Sequence, residues 1–188
     1  AATAAASVSW RSSRRTFALA NGFNVKVHFF NSDGSDAAGA SPVSVSGRTT
    51  FAGLTSNTGN HVGGTNPSAL AFSVIALAND AADANLSILS GVSGSLTKTT
   101  LGSSFPSNTT DSLEVELNAE PGDTAVAYTV TRRDRLTGAV VATATGTVSN
   151  VPTQTTIMAP QLWASNGATA AAVTLDMVYF YFENKSAI

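Results

Sequence analysis

The sequence predicts an all-β protein folded as an antiparallel β-sandwich or jelly roll. Three observations support this prediction. Several short segments alternate apolar and polar residues with a period of two, and clusters of Gly, Asn, Asp and Pro separate these segments. No stretch carries a helical pattern long enough to be stable by its own propensity. With 188 residues and no linker-like segment, the chain suits one domain with a hydrophobic core.

The clearest strand patterns lie at residues 23–30 and 113–118. In each segment apolar and polar side chains alternate, which places them on opposite sides of a strand. The apolar sides consist of Phe23, Val25, Val27 and Phe29 in the first segment and of Leu113, Val115 and Leu117 in the second. The polar sides carry Asn24, Lys26 and His28, and Glu114, Glu116 and Asn118. We expect two half-buried strands whose polar sides face solvent.

Residues 124–148 are typical of a hairpin, with a loop at residues 134–138 whose Gly138 can adopt positive φ. Residues 70–78 and 84–89 predict two further strands. The only helix-like stretches, residues 1–6 and 79–84, are too short to be stable alone. The Gly-, Ser-, Asn- and Asp-rich residues 31–41 and 53–68 predict surface loops.

Composition limits the classes of partner and cofactor. Charged residues make up 12% of the chain and the net charge is -2, so no positive field favours nucleic acid. The chain contains no cysteine, which excludes disulfides, a thiolate nucleophile and Cys-ligated zinc. No apolar run reaches the length of a membrane span. We therefore expect no cofactor, no metal, no nucleic-acid partner and no membrane partner.

The sequence predicts a non-catalytic protein. Its histidines, His28 and His61, lie far apart, and no serine has a Gly-x-Ser-x-Gly motif around it. Glu114 and Glu116 offer an alternative, since a pair of carboxylates on one strand face is what a glycosidase requires. Like charges on a solvated strand face are more often solubilising, and no aromatic residue flanks this pair. Glycan hydrolysis is therefore the third-ranked interpretation.

Basic residues crowd the N-terminal segment. Arg11, Arg14 and Arg15 lie within residues 1–17, which we predict to be an extended N-terminal arm preceding a sandwich domain at residues 18–188. Guanidinium groups pair bidentately with carboxylates, so these three arginines are candidates for docking the arm on an acidic neighbour in an assembly. The alternative is a solvated segment without a partner.

The last predicted strand is apolar on both sides. Residues 173–182 place Leu175, Met177, Tyr179 and Tyr181 on one side, and Val178, Phe180 and Phe182 on the other together with Asp176. A strand of this kind is expected in the middle of a sheet that is covered on both faces. Because one cover can be a neighbouring subunit, Val178, Phe180 and Phe182 are candidates for a subunit interface.

Several ordered motifs in residues 110–183 resemble those of a known family. They are Val151-Pro152, the Pro160-x-x-Trp163 step, the Ser-Asn-Gly-x-Thr-Ala-Ala-Ala-Val segment at residues 165–173, and the strand of residues 175–183. Together they resemble the C-terminal part of concanavalin-like β-sandwich modules in bacteriophage virion proteins, including tail fibre and minor structural proteins. The resemblance implies a concanavalin-like sandwich at the particle surface, and the N-terminal half shares only its general texture.

Two residues of these motifs have alternative interpretations. Trp163 is either an inter-sheet core side chain or a platform on which a sugar stacks. Asp176 either hydrogen-bonds loop backbone or contacts a ligand. Solvent exposure distinguishes the alternatives for Trp163 and for Trp10, because a sugar platform must be accessible.

Three functional interpretations follow. The first is a non-enzymatic phage virion protein, a capsid decoration or cement protein or a small tail accessory protein, located at the particle surface. It would contact capsid or tail proteins and copies of itself as a homo-oligomer, with a trimer favoured. The second is a carbohydrate-binding, receptor-recognition module that binds a surface glycan. The third is the glycan hydrolase that uses Glu114 and Glu116.

Overall fold

The computed structural model describes residues 7–12, 17–32, 47–59, 65–167 and 173–186. These residues form eleven β-strands and two short 3-10 helices, Leu19–Asn21 and Pro67–Ala69. The strands are β1 (Ser7–Arg11), β2 (Phe23–Ser32), β3 (Thr49–Thr55), β4 (Val74–Asn79), β5 (Ser87–Val92), β6 (Ser95–Thr100), β7 (Ser112–Ala119), β8 (Val126–Arg133), β9 (Val140–Val148), β10 (Ala159–Ser165) and β11 (Thr174–Asn184). Within this part of the chain, no helix combines the length and apolar character needed to cross a bilayer.

The strands form two antiparallel sheets. One has the order β1-β10-β3-β4-β5-β6, and the other has the order β11-β2-β7-β8-β9. The predicted all-β sandwich is therefore confirmed. So are the strands at residues 23–30 and 113–118 and the hairpin of β8 and β9, whose loop contains Gly138 with φ of 72°.

The main hydrophobic core fills the space between the two sheets. In β2 and β7 the alternation of the sequence is reproduced, because the apolar members of each strand are buried and the polar members are partly exposed. The five-stranded sheet contributes Val25, Val27, Phe29, Leu113, Val115, Leu117, Val126 and Val130, and the six-stranded sheet contributes Ala52, Leu54, Ile75, Leu77, Ile88 and Leu162.

The central strands of the six-stranded sheet are buried on their other side as well. Every residue of β3, β4 and β10 is buried, so these strands lack a solvated face. A second apolar cluster on this side includes Phe51 and Trp163, whose rings stack with centroids 5.7 Å apart. The composition of residues 53–68 predicts a loop, but β3 continues to Thr55 because its residues pair with both β4 and β10. Residues 33–46 and 60–64 lie outside the described residues.

Part of the predicted N-terminal arm belongs to the sandwich. Ser7–Arg11 forms β1, which pairs with β10 at the edge of the six-stranded sheet. The ring of Trp10 packs against Phe180 of β11 with centroids 4.7 Å apart. Phe17 is buried and exchanges two backbone hydrogen bonds with Met158. This pairing and burial place residues 7–12 and Phe17 in the domain, whereas residues 1–6 and 13–16 lie outside the described residues.

The position of the last strand differs from the prediction. β11 is an edge strand of the five-stranded sheet and pairs with β2 alone among the described strands. A register shift between Met177 and Tyr179 leaves Val178 without an opposite residue in β2. This bulge reverses the alternation, as an extra residue in a strand does. Consequently Asp176 shares a side with Tyr179 and Tyr181, whereas Met177 shares a side with Phe180 and Phe182.

The segment at residues 79–84 forms no helix. Asn79 ends β4, and the Asp80 to Asp83 turn closes through a backbone hydrogen bond of 3.0 Å from the Asp83 amide to the Asp80 carbonyl. The Asp80 carboxylate accepts hydrogen bonds from Ser68 and from the Lys98 ammonium at 3.0 Å. These contacts hold the 3-10 helix of residues 67–69 against the turn and against β6.

Candidate functional site

The solvent-facing side of the five-stranded sheet, here called the outer face, carries polar and aromatic side chains in an ordered grid. Two rows cross all five strands in register, and each contains a tyrosine, a basic residue, a glutamate and two threonines in that order. The first row is Tyr181, Lys26, Glu116, Thr129 and Thr145. The second row is Tyr179, His28, Glu114, Thr131 and Thr143. The polar side chains of β2 and β7 and the tyrosines of β11 thus lie on one surface.

The tyrosines form the aromatic end of the outer face. The side chains of Tyr179 and Tyr181 are 38% and 47% exposed, although they lie on a strand that is apolar along most of its length. The Tyr179 ring packs edge-on against His28, with ring centroids 5.6 Å apart. Phe30 extends this aromatic region, since its ring lies 5.8 Å from the His28 ring and 5.5 Å below the guanidinium of Arg135.

Ion pairs occupy the middle of the outer face. Lys26 Nζ lies 3.0 Å from Glu116 Oε2, and Arg133 Nε lies 3.6 Å from Glu114 Oε2. The hydrogen bond to Glu116 raises the pKa of Lys26, an effect that burial opposes. Each positive charge of these two pairs is therefore matched by a carboxylate on the neighbouring strand.

His28 differs from the other basic groups of the face. Burial lowers the pKa of its imidazole, and Arg133 adds to this effect, while the Glu114 carboxylate opposes it. The neutral form is therefore favoured at neutral pH. Its Nε2 atom is buried without a hydrogen-bond partner, as is Asn24 Oδ1 on the same side of β2. Both atoms are shielded from solvent, so a ligand could reach them only after a neighbouring side chain moves.

Hydroxyl groups form the opposite end of the outer face. Thr143, Thr145 and Thr147 of β9 are exposed, and Thr129 of β8 lies directly opposite Thr145. Beyond Thr147, where a loop joins β7 to β8, there is an open cleft of about 340 Å³. Its lining combines the polar residues Asn118, Glu120, Asp123, Thr124 and Thr147 with three alanines.

The glutamates of the hydrolase alternative lie in the centre of this face. Glu114 and Glu116 occupy adjacent rows on β7, and the predicted solvated strand face is confirmed. Both carboxylates are engaged by cations on neighbouring strands, Glu116 by Lys26 and Glu114 by Arg133. This arrangement is the one expected of a solvated strand face, and it agrees with the low rank of the hydrolase alternative. Among the residues described, no group of three or more His, Asp and Glu side chains is placed to hold a metal ion.

Burial removes Trp163 from the candidate ligand contacts. Its side chain is completely inaccessible to solvent and stacks on Phe51 in the second apolar cluster. A ring without an exposed face cannot stack on a sugar. Asp176, the other candidate, is exposed and lies opposite Phe30 on the outer face, and the bulge at Val178 brings the two tyrosines to the same side as Asp176.

The remaining predicted residues are divided between the two sheet edges. Val178 and Phe182 of β11 are 52% and 40% exposed, while Phe180 is partly buried beneath Trp10. Phe182 also contacts Phe17, with ring centroids 5.6 Å apart. Arg11 lies in β1 opposite Gln161, in the six-stranded sheet, and is not part of the outer face. Arg14 and Arg15 lie outside the described residues, as does His61.

Tyr179 and Tyr181 are members of the site that the sequence does not predict. The alternation in β2 and β7 correctly predicts Lys26, His28, Glu114 and Glu116 on solvated faces. Strict alternation along β11 predicts the tyrosines on the side of Met177, because it takes no account of the bulge. The eleven-residue length of β11 and its two apolar sides were visible in the sequence, but neither locates a bulge.

Comparisons with known proteins identify the fold. No protein-family model matches the chain, and no curated protein matches it. Among solved structures, the winged bean acidic lectin complexed with methyl-alpha-D-galactose matches with a TM-score of 0.52 and 13% identity, over 94% of this chain and 78% of that chain. Peanut lectin with a nine-residue peptide matches with a TM-score of 0.50 and 15% identity, over 86% of this chain and 70% of that chain. The chain thus has the concanavalin-like β-sandwich fold that these legume lectins share.

Proposed function

We propose that this chain is a non-enzymatic carbohydrate-binding module that binds a glycan on the outer face of its five-stranded sheet. The observation that carries the proposal is the exposure of Tyr179 and Tyr181 beside the polar residues of the same two rows. Neither tyrosine is needed to fill the core between the sheets. Their exposed rings are available to a partner.

The chemistry of the face suits a sugar. The C–H groups of a pyranose ring form an apolar patch that packs against an aromatic ring, while its hydroxyls require hydrogen-bonding partners. The Lys26–Glu116 pair lies next to Tyr181 and supplies charged donors and acceptors. In the row of Tyr179, the partly exposed carboxylate of Glu114 supplies acceptors near the ring. Stacking surface and hydrogen-bonding groups are therefore adjacent in both rows.

The fold supports the same class of function, although it carries less weight than the site. One fold hosts many functions, so a shared sandwich supplies an expectation and not a ligand. The winged bean acidic lectin is described in complex with methyl-alpha-D-galactose. Galactose-bearing glycans are therefore the first ligands to test with this chain.

The predicted role as a phage structural protein at the particle surface stays a prediction. The comparisons relate this chain to lectin folds and give no support to a capsid or tail assignment. The docking of Arg11, Arg14 and Arg15 on an acidic neighbour is likewise untested. Imaging of particles with and without the protein is the direct test of both.

Affinity gel electrophoresis in a gel containing galactomannan tests the proposed function. We expect the polysaccharide to slow the wild-type protein, and Tyr179→Ala/Tyr181→Ala to migrate as it does in a gel without polysaccharide. Leu136→Ala/Val140→Ala is the matched control, because it removes two exposed apolar side chains from the β8–β9 hairpin, away from the tyrosines. Circular dichroism of each variant verifies folding.

Two results would overturn the proposal. One is unchanged wild-type mobility in galactomannan, xyloglucan, dextran and a panel of immobilised mammalian and bacterial glycans. The other is a tyrosine variant that folds and is slowed as strongly as the wild-type protein, which would place binding elsewhere.

A further inference from the structure

The two rows of the outer face span the whole sheet. Neighbouring strands in a sheet lie about 4.8 Å apart, so the distance from β11 to β9 is about 19 Å. This distance exceeds the length of a disaccharide. Successive residues on one side of a strand are separated by about 6.7 Å, so the two rows run side by side with that spacing. A ligand that contacts both the tyrosines and the threonines must therefore be extended and lie across the strands.

Two cations of the outer face are paired with carboxylates within the protein. Lys26 pairs with Glu116 and Arg133 pairs with Glu114, while the Arg135 guanidinium covers the Phe30 ring. At the β11 edge, the Tyr181 hydroxyl donates to Glu183 Oε2 at 2.9 Å, and Asp176 is exposed. An anionic sugar would meet these carboxylates and would have to compete with them for the cations.

A neutral sugar meets no such opposition. Its hydroxyls can donate to the outer lone pairs of Glu114 and Glu116 and accept from Lys26 while both ion pairs stay intact. At the far end, the exposed hydroxyls of Thr143 and Thr145 each offer one donor and accept as well. The change from aromatic through charged to hydroxyl groups along each row provides partners for a chain of sugars over its full length.

We propose that the ligand of this site is an uncharged, extended glycan chain that lies across the strands, from Tyr179 and Tyr181 on β11 to Thr143 and Thr145 on β9. This inference rests on the proposed function and adds the charge, the minimum length and the direction of the ligand. It requires contacts at both ends of the rows, which a monosaccharide site at the tyrosines does not.

Isothermal titration calorimetry with the full chain tests the proposal. The neutral probes are mannose, as the monosaccharide, and galactomannan fragments of two and six residues. The acidic probes are alginate fragments of two and six residues. We expect the neutral hexamer to bind more tightly than the neutral dimer and than the alginate hexamer. Thr143→Val/Thr145→Val should weaken binding of the neutral hexamer by about fivefold or more, since two hydrogen bonds are lost. Dimer binding at the tyrosines should be unchanged in this variant.

A matched control separates this effect from a general loss of surface hydroxyls. Thr99→Val/Thr100→Val removes two exposed threonines from β6, on the other sheet, and should bind the hexamer as the wild-type protein does. Equal affinity for dimer and hexamer, or a Thr143→Val/Thr145→Val variant with unchanged hexamer affinity, would overturn the extended site. In both cases binding lost in Tyr179→Ala/Tyr181→Ala would leave the proposed function standing. Tighter binding of alginate than of the neutral hexamer would overturn the assignment of an uncharged ligand.

Discussion

Tyr179 of β11 lies opposite His28 of β2, and the two rings meet edge to face with centroids 5.6 Å apart. This contact joins the aromatic end of the outer face to its charged centre, because His28 also lies opposite Glu114 of β7. It limits the access of water to the imidazole from one side. The protonation of His28 is therefore coupled to the folding of three strands.

We expect acid to destabilise the fold through His28. Burial holds the pKa of His28 below its ordinary value of 6.5, with Arg133 acting in the same direction and Glu114 opposing. Since the unfolded chain binds the proton more readily, the contribution of His28 is present above pH 6.5 and is lost as the pH falls through the folded-state pKa. The measurement is the free energy of unfolding in urea between pH 7.5 and 4.5.

His28→Gln serves as the comparison because glutamine keeps a polar side chain on the outer face and does not titrate. As the pH rises from 4.5 to 7.5, the free energy of unfolding of the wild type should increase relative to that of the variant. Groups that do not interact with His28 contribute equally to both proteins and cancel in the difference. A difference that stays constant from pH 7.5 to 4.5 would show that the pKa of His28 is the same in the folded and unfolded chains.

The contact between Trp10 and Phe180 closes one side of the sandwich. Trp10 lies on β1 and Phe180 on β11, which belong to different sheets, and the two rings pack over the core with centroids 4.7 Å apart. Because Trp10 is only partly buried, we expect Trp10→Ala to lower the free energy of unfolding by about 2 kcal/mol, less than for a fully buried tryptophan. Ser9→Ala, at an exposed neighbouring position, should change it by less than about 0.5 kcal/mol. Equal losses in both variants would contradict an energetic role for this ring contact.

Asp80 stabilises the turn after β4. Burial acts to raise the pKa of Asp80, but hydrogen bonds from Ser68 and Lys98 outweigh it, and the pKa is lowered from 3.8. We expect Asp80→Asn to lower the free energy of unfolding at pH 7 by about 1–3 kcal/mol, because a charged acceptor of several hydrogen bonds is lost. A carboxylate with a depressed pKa contributes above pH 3.8 and loses its contribution as the pH falls further.

The difference between Asp80→Asn and wild type should therefore shrink between pH 4 and pH 2 in urea titrations. Asp176→Asn, an exposed carboxylate on the edge strand, is the control and should leave stability at pH 7 within about 0.5 kcal/mol of wild type. A loss in Asp80→Asn that persists undiminished at pH 2 would show that the carboxylate charge is not what stabilises the turn.

The predictability of each part of the molecule follows from the range of the interactions that determine it. The two-residue alternation in β2 and β7 is local, so the sequence assigns Val27 to the core and Glu116 to solvent correctly. Burial of β10 depends on a cluster on the outside of the six-stranded sheet, which unites Trp163 with Phe51 from a distant strand. Single-sequence periodicity contains no information about such a partner, and the alternative of an exposed Trp163 stayed open for that reason.

The candidate site was only partly predictable, because it also depends on interactions between strands that are distant in sequence. The polar residues of β2 and β7 were identified as solvated, but their registration into rows depends on pairing between strands 80 or more residues apart. The tyrosines join these rows because one bulge at Val178 shifts the alternation of β11. The position of a bulge depends on how β11 pairs with β2. Because both sides of β11 are apolar, a shift in its alternation does not change the hydrophobic pattern of the sequence.

The predicted homo-oligomer has a direct test at the edge of the five-stranded sheet. Val178 occupies the bulge of β11, and both it and Phe182 expose a large part of their apolar surface. An exposed apolar edge strand favours pairing with another chain, and a lysine at such an edge opposes it. If copies of this chain associate through β11, native mass spectrometry should show an oligomer for the wild type, a trimer by the sequence-based expectation, and a monomer for Val178→Lys.

Val140→Lys places the same charge on an equally exposed valine of β9 at the opposite edge of the sheet and should keep the wild-type mass. A monomeric wild type at micromolar concentration would contradict self-association, and an oligomer that persists in Val178→Lys but dissociates in Val140→Lys would move the interface to β9.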